Sequence, residues 1–304
     1  MKSEKKVFLL DRVGNKKDLS SNYIVVNDDI SELLDAMIAH NYKYDLLLTS
    51  PPYNLGKSYE TKIDFETYIN NFKPIVKKLV DRLQPGGSLC WQVGNFIDKQ
   101  VVYPLDIYFH PLFVELGLHL RNRIIWRFGH GLHAKSRFSG RYETILWYTK
   151  TDTEDKYHFD LDSVRIPSKY PGKKYYKGPR KGQFSSNPLG KNPEDVWDIP
   201  NVNSNHMEKT IHPCQFPVAL AERLILALAP KNSLIFDPFS GVSSTGVAAA
   251  IHGRRFIGCE VLRKYCTVSK KRIEEALCGK SNYRPHDLPI YDHNKSKLSI
   301  KPEK

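Results

Sequence analysis

Apolar and polar positions alternate along the chain in two recognisable rhythms. Residues 23–26 are a short β-rich run. Residues 31–40 place Leu33, Leu34, Met37 and Ile38 on one side of a helix, with Ser31 as its cap. Residues 44–49 are almost continuously apolar, as a strand buried on both faces must be. Residues 65–83 have the helical period and stop before Pro85-Gly86-Gly87, which predicts a turn. Strands are expected over 88–93, 120–127 and 143–148, with a helix over 104–116. Strands alternating with helices predict a parallel, doubly wound α/β sheet. The rhythm breaks between 150 and 208, a stretch rich in Pro, Gly, Asn, Lys and Tyr. It returns as a helix over 216–229, a strand over 233–237, a helix over 245–252, a strand over 255–260 and a helix over 265–277. The polar residues after Cys278 are expected to fray.

Charge changes this picture most. The chain of 304 residues carries 46 Lys+Arg against 33 Asp+Glu, a formal net charge of +13. Such a surplus attracts polyanions, nucleic acid first and an anionic membrane second. No stretch approaches the roughly 18 apolar residues of a membrane span. No signal-type apolar core follows the charged start at 1–6. Cys90, Cys214, Cys259, Cys266 and Cys278 lack the spacing of a zinc site or a disulfide framework, so a reducing cytoplasm is the expected setting.

The most informative segment is Asp45-Leu-Leu-Leu-Thr-Ser-Pro-Pro-Tyr53. A buried strand runs straight into Ser50-Pro51-Pro52-Tyr53, at the carboxyl end where open α/β sheets bind ligands. The two prolines stiffen the loop and remove two donors. An exocyclic amine is planar and a poor nucleophile, because its lone pair is delocalised into the ring. Ser50 Oγ and the Pro51 carbonyl could hold its hydrogens and favour charge on the attacking nitrogen. Tyr53 could stack on a base swung out of a duplex. The bland alternative is a strand ending in a Pro-Pro turn with a packed tyrosine.

A second segment, Leu234-Ile-Phe-Asp-Pro-Phe-Ser-Gly-Val-Ser-Ser-Thr-Gly246, reads as strand, glycine turn and helix start. Gly241 lets the backbone approach a ligand. The helix N-terminus favours a carboxylate. The next strand ends in Glu260, where an acid would hold ribose hydroxyls. An ordinary βαβ turn with a solvated glutamate is the alternative here.

Together these segments resemble the amino-group DNA methyltransferases, which modify cytosine N4 or adenine N6. That family carries Asp, Asn or Ser before Pro-Pro-Tyr or Pro-Pro-Phe, and Ser is more typical of cytosine-N4 enzymes. Its turn for S-adenosylmethionine (SAM) reads Asp-Pro-Phe-x-Gly-x-Gly-[Thr/Ser]-[Thr/Ser]. The resemblance makes Asp237, Pro238, Phe239, Gly241, Ser244, Thr245 and Glu260 the SAM residues and Ser50, Pro51, Pro52 and Tyr53 the catalytic ones. Ser243 stands where the family has a second glycine, and its Cβ is expected to crowd the cofactor. His212-Pro-Cys-Gln-Phe-Pro217 is similar to the family's His-Pro-x-Gln-x-Pro segment, so His212, Gln215 and Phe216 join the SAM set. Asn27-Asp28 resembles the acidic position near the adenine and adds Asp28. The catalytic loop precedes the SAM turn, which resembles the circularly permuted β class.

That class implies a Rossmann-like SAM-dependent methyltransferase sheet with an irregular target-recognition insertion. Its expected divisions are a catalytic half over 1–150, target recognition over 151–208, a SAM-binding half over 209–280 and a polar tail over 281–304. Residues 165–193 hold eight Lys/Arg and no Asp or Glu, with tyrosines and Phe184 interleaved. Cations mixed with aromatics suit nucleic acid. Lys169, Lys173, Lys174, Lys177, Arg180 and Lys181 are therefore DNA candidates, with a solvated basic loop as the alternative. In the family the loop over 129–143 borders the target-base pocket, which adds Arg137, Arg141 and Glu143. His130 and His133 with Glu143 could suggest a metal, but no further ligand is near in sequence and methyl transfer needs none, so no metal is expected.

The expected activity is site-specific methylation of a flipped base in double-stranded DNA, at cytosine N4, with adenine N6 as the alternative. The expected place is the prokaryotic cytoplasm, at the nucleoid. A homodimer and a cognate restriction endonuclease are the further partners that the resemblance admits; a membrane is not. A SAM enzyme acting on RNA or a protein amide is one rival. The other is a DNA-binding protein that has lost catalysis, against which the intact Ser50–Tyr53 and Glu260 argue.

Overall fold

The computed structural model describes residues 6–57, 60–131, 133–153 and 156–289. Its strands are β1 (Val7–Leu10), β2 (Tyr23–Val26), β3 (Tyr44–Thr49), β4 (Leu83–Val93), β5 (Asn95–Asp98), β6 (Val101–Pro104), β7 (His119–Arg127), β8 (Tyr142–Thr149), β9 (Val196–Asp198), β10 (Leu234–Asp237) and β11 (Arg255–Cys259). The helices are α1 (Ile30–Ala39), α2 (Phe65–Arg82), α3 (Leu105–Glu115), α4 (Val218–Leu228), α5 (Ser244–Ile251) and α6 (Arg263–Leu277).

A nine-stranded sheet runs β1-β2-β11-β10-β3-β4-β8-β7-β9, and β5 pairs with β6 in a separate hairpin. Alternation along the strands splits the core into two layers. On β2, Tyr23 and Val25 face a cluster with α4, α5 and α6, while Ile24 and Val26 face α1, α2 and α3. On β10, Ile235 faces the first cluster and Leu234 and Phe236 the second. Fully burying each such side chain stabilises the fold by about 1.5–3 kcal/mol. Helices on both faces are the reason the central strands are apolar throughout.

β10 and β3 lie side by side and parallel although they come from opposite ends of the chain. β10 leads to α5 on one face and β3 leads to α2 on the other. The connections diverge above the pair and leave a crevice between them. Asp45 Oδ2 accepts the Leu234 N–H at 2.7 Å, and Thr49 Oγ1 donates to Asp237 Oδ1 at 2.7 Å. The two strands are thus locked together at both ends.

Several expectations are corrected. The sheet is mixed rather than all-parallel: β8 runs antiparallel to both β4 and β7. Asp29, not Ser31, caps α1, its side chain accepting the Ser31 N–H at 2.8 Å. Pro85-Gly86-Gly87 makes no turn out of the sheet; it lies within β4, where the pairing with β3 shifts register. Gly87 is needed there because a Cβ would stand 2.7 Å from the Asp45 carbonyl oxygen. Residues 283–286 are not frayed. Arg284 N–H donates to Glu208, His286 N–H donates to Glu222, and the His286 carbonyl accepts from Arg223. Residues 290–304 of the expected tail lie outside the described residues.

Candidate active site

A cavity of about 440 Å³ opens at the carboxyl ends of β2, β11, β10, β3 and β4 and is closed laterally by β7, β8 and the chain after β9. Its lining includes Asp28, Ser50, Pro51, Pro52, Tyr53, His212, Gln215, Phe216, Pro238, Phe239, Gly241, Ser244 and Glu260. Residues scattered from position 28 to 260 therefore meet in one crevice.

At one end stand the β10 turn and Glu260. Gly241 has φ +51°, and a Cβ there would meet the His212 ring at 3.3–3.4 Å, so the turn needs glycine for both conformation and space. Glu260 Oε1 accepts the Leu262 N–H at 2.8 Å. Burial pushes its carboxyl up to about 7. Asn27 Nδ2 donates to the Glu260 and Val261 carbonyls, which brings Asp28 beside this end. His212 is driven down to about 4, by burial first and by Lys209 next, so its ring is neutral near pH 7. Its Nδ1 accepts the Cys214 N–H and its ring stands edge-on to Tyr265. Gln215 is tied to Thr210 and to the Glu208 carbonyl, and Ser244 Oγ donates to the Phe216 carbonyl.

Two of the predicted SAM residues do not line the cavity. Asp237 and Thr245 are fully buried beneath its floor. Asp237 holds Thr49 and accepts the Phe239 N–H at 3.2 Å, and burial pushes its carboxyl up to about 6. It shapes the turn from below. Ser243 is also fully buried and is not among the residues that line the cavity. Serine in place of glycine carries a conformational cost here, since Ser243 sits in the left-handed region at φ +55°.

At the other end, Ser50 Oγ lies 3.1 Å from the Tyr53 hydroxyl, and Tyr68 Oη donates to the Pro52 carbonyl at 2.7 Å. The Tyr53 hydroxyl makes a long contact of 3.4 Å to Glu143, whose Oε2 also accepts from Gln92 Nε2 at 2.5 Å. Burial pushes Glu143 up to about 7. Leu55, Trp126, Phe128, Asn201 and Val202 complete this apolar, partly aromatic end. Gln92, Trp126, Phe128, Asn201 and Val202 were not anticipated from sequence. Asn201 Oδ1 is buried without a hydrogen-bond partner while its Nδ2 donates to the His130 carbonyl at 3.1 Å. Glu143 is engaged by Gln92 and Tyr53, and no group of three His, Cys, Asp or Glu among the described residues could hold a metal ion.

The basic candidates lie outside the cavity. Residues 173–185 form an antiparallel ribbon, with Tyr175 N–H donating to Gln183, Gly182 to Tyr175 and Ser185 to Lys173. Cations stack on its rings: Lys174 lies over Phe184, Arg180 over Tyr175 and, just before it, Lys169 over Tyr170. Lys173, Lys177 and Lys181 are exposed on the same segment. Arg137 and Arg141 stand on the β7–β8 loop, whose two ends reach the cavity through Phe128 and Glu143.

Residues 44–271 match the family model described as DNA methylase, which spans the N6 and N4 enzymes. The chain belongs to this family of amino-group DNA methyltransferases. Its methyl donor is therefore SAM. It is 44% identical over 249 residues to the type II methyltransferase M.BglII of Bacillus subtilis, covering 82% of this chain and 68% of that protein. It is 29% identical over 248 residues to the DNA adenine methyltransferase YhdJ of Escherichia coli, covering 80% of this chain and 79% of YhdJ. In fold it is similar to the cytosine-N4-specific PvuII DNA methyltransferase, with TM-score 0.63 and 22% identity over 91% of this chain and 97% of that one. The sheet is accordingly a Rossmann-like methyltransferase sheet. Among the described residues no helix is long and apolar enough to cross a membrane.

Proposed function

We propose that this protein methylates N4 of a cytosine flipped out of double-stranded DNA at a specific site, with Ser50 as the residue facing the amine. The observation that carries this reading is one crevice with a nucleoside-type acid at one end, Glu260, and Ser50-Pro51-Pro52-Tyr53 among apolar rings at the other. When bound, SAM supplies a methyl group on a sulfonium, an excellent leaving group, so orientation provides much of the acceleration.

The chain's own residues divide the work. Asp28 and Glu260 hold the nucleoside end, with His212, Gln215, Phe216, Pro238, Phe239, Gly241 and Ser244 around the remainder. Ser50 Oγ and the Pro51 carbonyl accept the amine hydrogens, and Tyr53 stacks on the base. Asp237 and Thr245 support the turn from beneath. The ribbon over 173–185, with Lys169, Arg137 and Arg141, contacts DNA phosphates, which position the enzyme rather than specify sequence. Residues 1–150 thus act as the catalytic half, 151–208 as target recognition and 209–280 as the SAM half, in the permuted β-class order. We place the enzyme in a prokaryotic cytoplasm at the nucleoid, with a homodimer and a companion restriction endonuclease as further partners.

Adenine N6 is the second reading, favoured by the similarity to YhdJ. The test is transfer of labelled methyl from SAM to duplex DNA. Transfer lost in Ser50→Ala with SAM binding retained supports the assignment; a Ser50→Ala variant as fast as the parent overturns it.

A further inference from the structure

An N–H proton must leave whenever an exocyclic amine is methylated. The amine lone pair forms the N–C bond, the C–S pair stays with sulfur, and the nitrogen is left with one proton too many. A serine hydroxyl beside it can accept that proton only by passing on its own. The cavity offers a place for it to go. Ser50 Oγ is 3.1 Å from the Tyr53 hydroxyl, and the Tyr53 hydroxyl is 3.4 Å from Glu143 Oε2. The same Glu143 Oε2 accepts from Gln92 Nε2 at 2.5 Å, and Gly94 leaves room for the carboxylate, since a Cβ there would stand 3.0 Å from Glu143 Oε1.

We propose that Ser50, Tyr53 and Glu143 form a hydroxyl relay that carries the amine proton from the target base to the Glu143 carboxylate. The proton on nitrogen moves to Ser50 Oγ, the Ser50 proton to the Tyr53 oxygen, and the Tyr53 proton to Glu143. The two hydroxyls end as they began, and the carboxylate ends as the acid, which returns its proton to solvent after product leaves. Gln92 is a positioning residue: its amide donates to the same carboxylate oxygen that Tyr53 contacts and holds it in place. The relay gives the Tyr53 hydroxyl a task that a phenylalanine at this position could not perform, while stacking on the base needs only the ring.

The surroundings suit a terminal acceptor. Glu143 sits on β8 between β4, which brings the Gln92 amide, and β7, which brings Trp126 opposite it in register. The titratable groups facing it are Tyr53 and, behind that, Tyr68 at the Pro52 carbonyl. Burial holds Tyr53 well above the ordinary phenol range, so it stays protonated and passes protons in concert. Burial also lifts Glu143 to about 7, which makes its ionised form a stronger base than an ordinary carboxylate. Above about pH 7 the acceptor is empty; below it the relay is blocked.

This inference rests on Ser50 being the residue at the amine. The test is single-turnover methyl transfer across pH 5.5 to 8.5 for the parent, Ser50→Ala, Tyr53→Phe, Glu143→Gln and the Tyr53→Phe/Glu143→Gln pair. Carboxyl titration is followed in parallel by carbon-13 NMR of glutamate-labelled protein without SAM or DNA. The relay predicts a parent rate that rises with pH to a plateau, with a midpoint near that of a carboxyl signal missing from Glu143→Gln. Tyr53→Phe and Glu143→Gln should each slow transfer by about a hundredfold, lose the rise with pH, and be no worse combined. SAM binding should stay at the parent level in each. Tyr53→Phe at the parent rate with the parent pH profile overturns the relay. Full activity in Ser50→Ala overturns the underlying assignment instead.

Discussion

Replacing Glu260 with glutamine should weaken SAM binding and strengthen the fold together. The carboxyl sits at the end of β11, accepts the Leu262 N–H and is raised by burial from the ordinary 4.5 to about 7. A folded-state value above the unfolded one means that folding disfavours the ionised form. This penalty is absent below about pH 4.5 and complete above about pH 7. At about 1.4 kcal/mol per unit it reaches about 3 kcal/mol. Glutamine keeps the Leu262 contact through its carbonyl oxygen and has no charge to desolvate. At pH 8 the Glu260→Gln protein without ligand should therefore be more stable than the parent by up to about 3 kcal/mol, and about equal near pH 4.5. Ribose hydroxyls donating to an ionised carboxylate contribute about 1.5–3 kcal/mol per bond, so the variant should bind SAM at least tenfold more weakly. For the same reason, parent affinity should fall as pH drops below 7, with proton release on binding. Urea melts at the two pH values and calorimetry in buffers of different ionisation enthalpy measure both effects. Unchanged affinity, or a variant less stable at pH 8, would refute the reasoning.

Other changes separate the floor of the site from its walls. Near pH 4, where burial exacts no ionisation penalty on the carboxyl, Asp237→Ala should cost about 1–3 kcal/mol of stability by leaving the Thr49 and Phe239 donors unpaired, the cost shrinking above pH 6, and should weaken SAM binding only indirectly; unchanged stability in a chemical melt at pH 4 would count against this placement. Ser243→Gly should stabilise by about 1 kcal/mol by relieving the left-handed backbone, with SAM affinity unchanged; an altered affinity would mean that the side chain reaches the ligand after all. Charge reversal at Lys173 and Lys174 should weaken DNA binding and flatten its salt dependence, each lost phosphate contact reducing the log–log slope by about 0.9. An equal slope in the variant would place the DNA surface elsewhere.

What could be read from sequence was whatever is written locally. The apolar run ending in Ser50-Pro51-Pro52-Tyr53 states strand, end and chemistry in consecutive residues, and the Asp237–Thr245 turn does the same. Strand direction is not written locally: Glu143–Tyr148 carries an apolar run whichever way it runs, and its pairing with β4 and β7 makes it antiparallel. Gln92, Trp126 and Asn201 were illegible for a related reason. Each is one polar or aromatic residue on a buried strand or short loop, and nothing nearby marks which of its neighbours faces the crevice. The ribbon over 173–185 escaped because its ladder joins exposed residues, so no apolar period announces it. Asp237 joins the SAM set because the motif contains it; that it is fully buried, with Oδ1 accepting from Thr49 Oγ1 and the Phe239 N–H, is settled by long-range packing that the motif does not state.

The central activity is methyl transfer to an exocyclic amine. Its most direct test is to methylate duplex DNA with the purified protein and SAM, digest the DNA to nucleosides and identify the product by mass spectrometry. N4-methylcytosine is the expected product. N6-methyladenine alone would refute the choice of base. 5-Methylcytosine would contradict the mechanism itself, because carbon methylation needs a nucleophile to activate the ring, and no cysteine lines the cavity near Ser50-Pro51-Pro52-Tyr53 among the described residues: Cys214 and Cys259 line its other end.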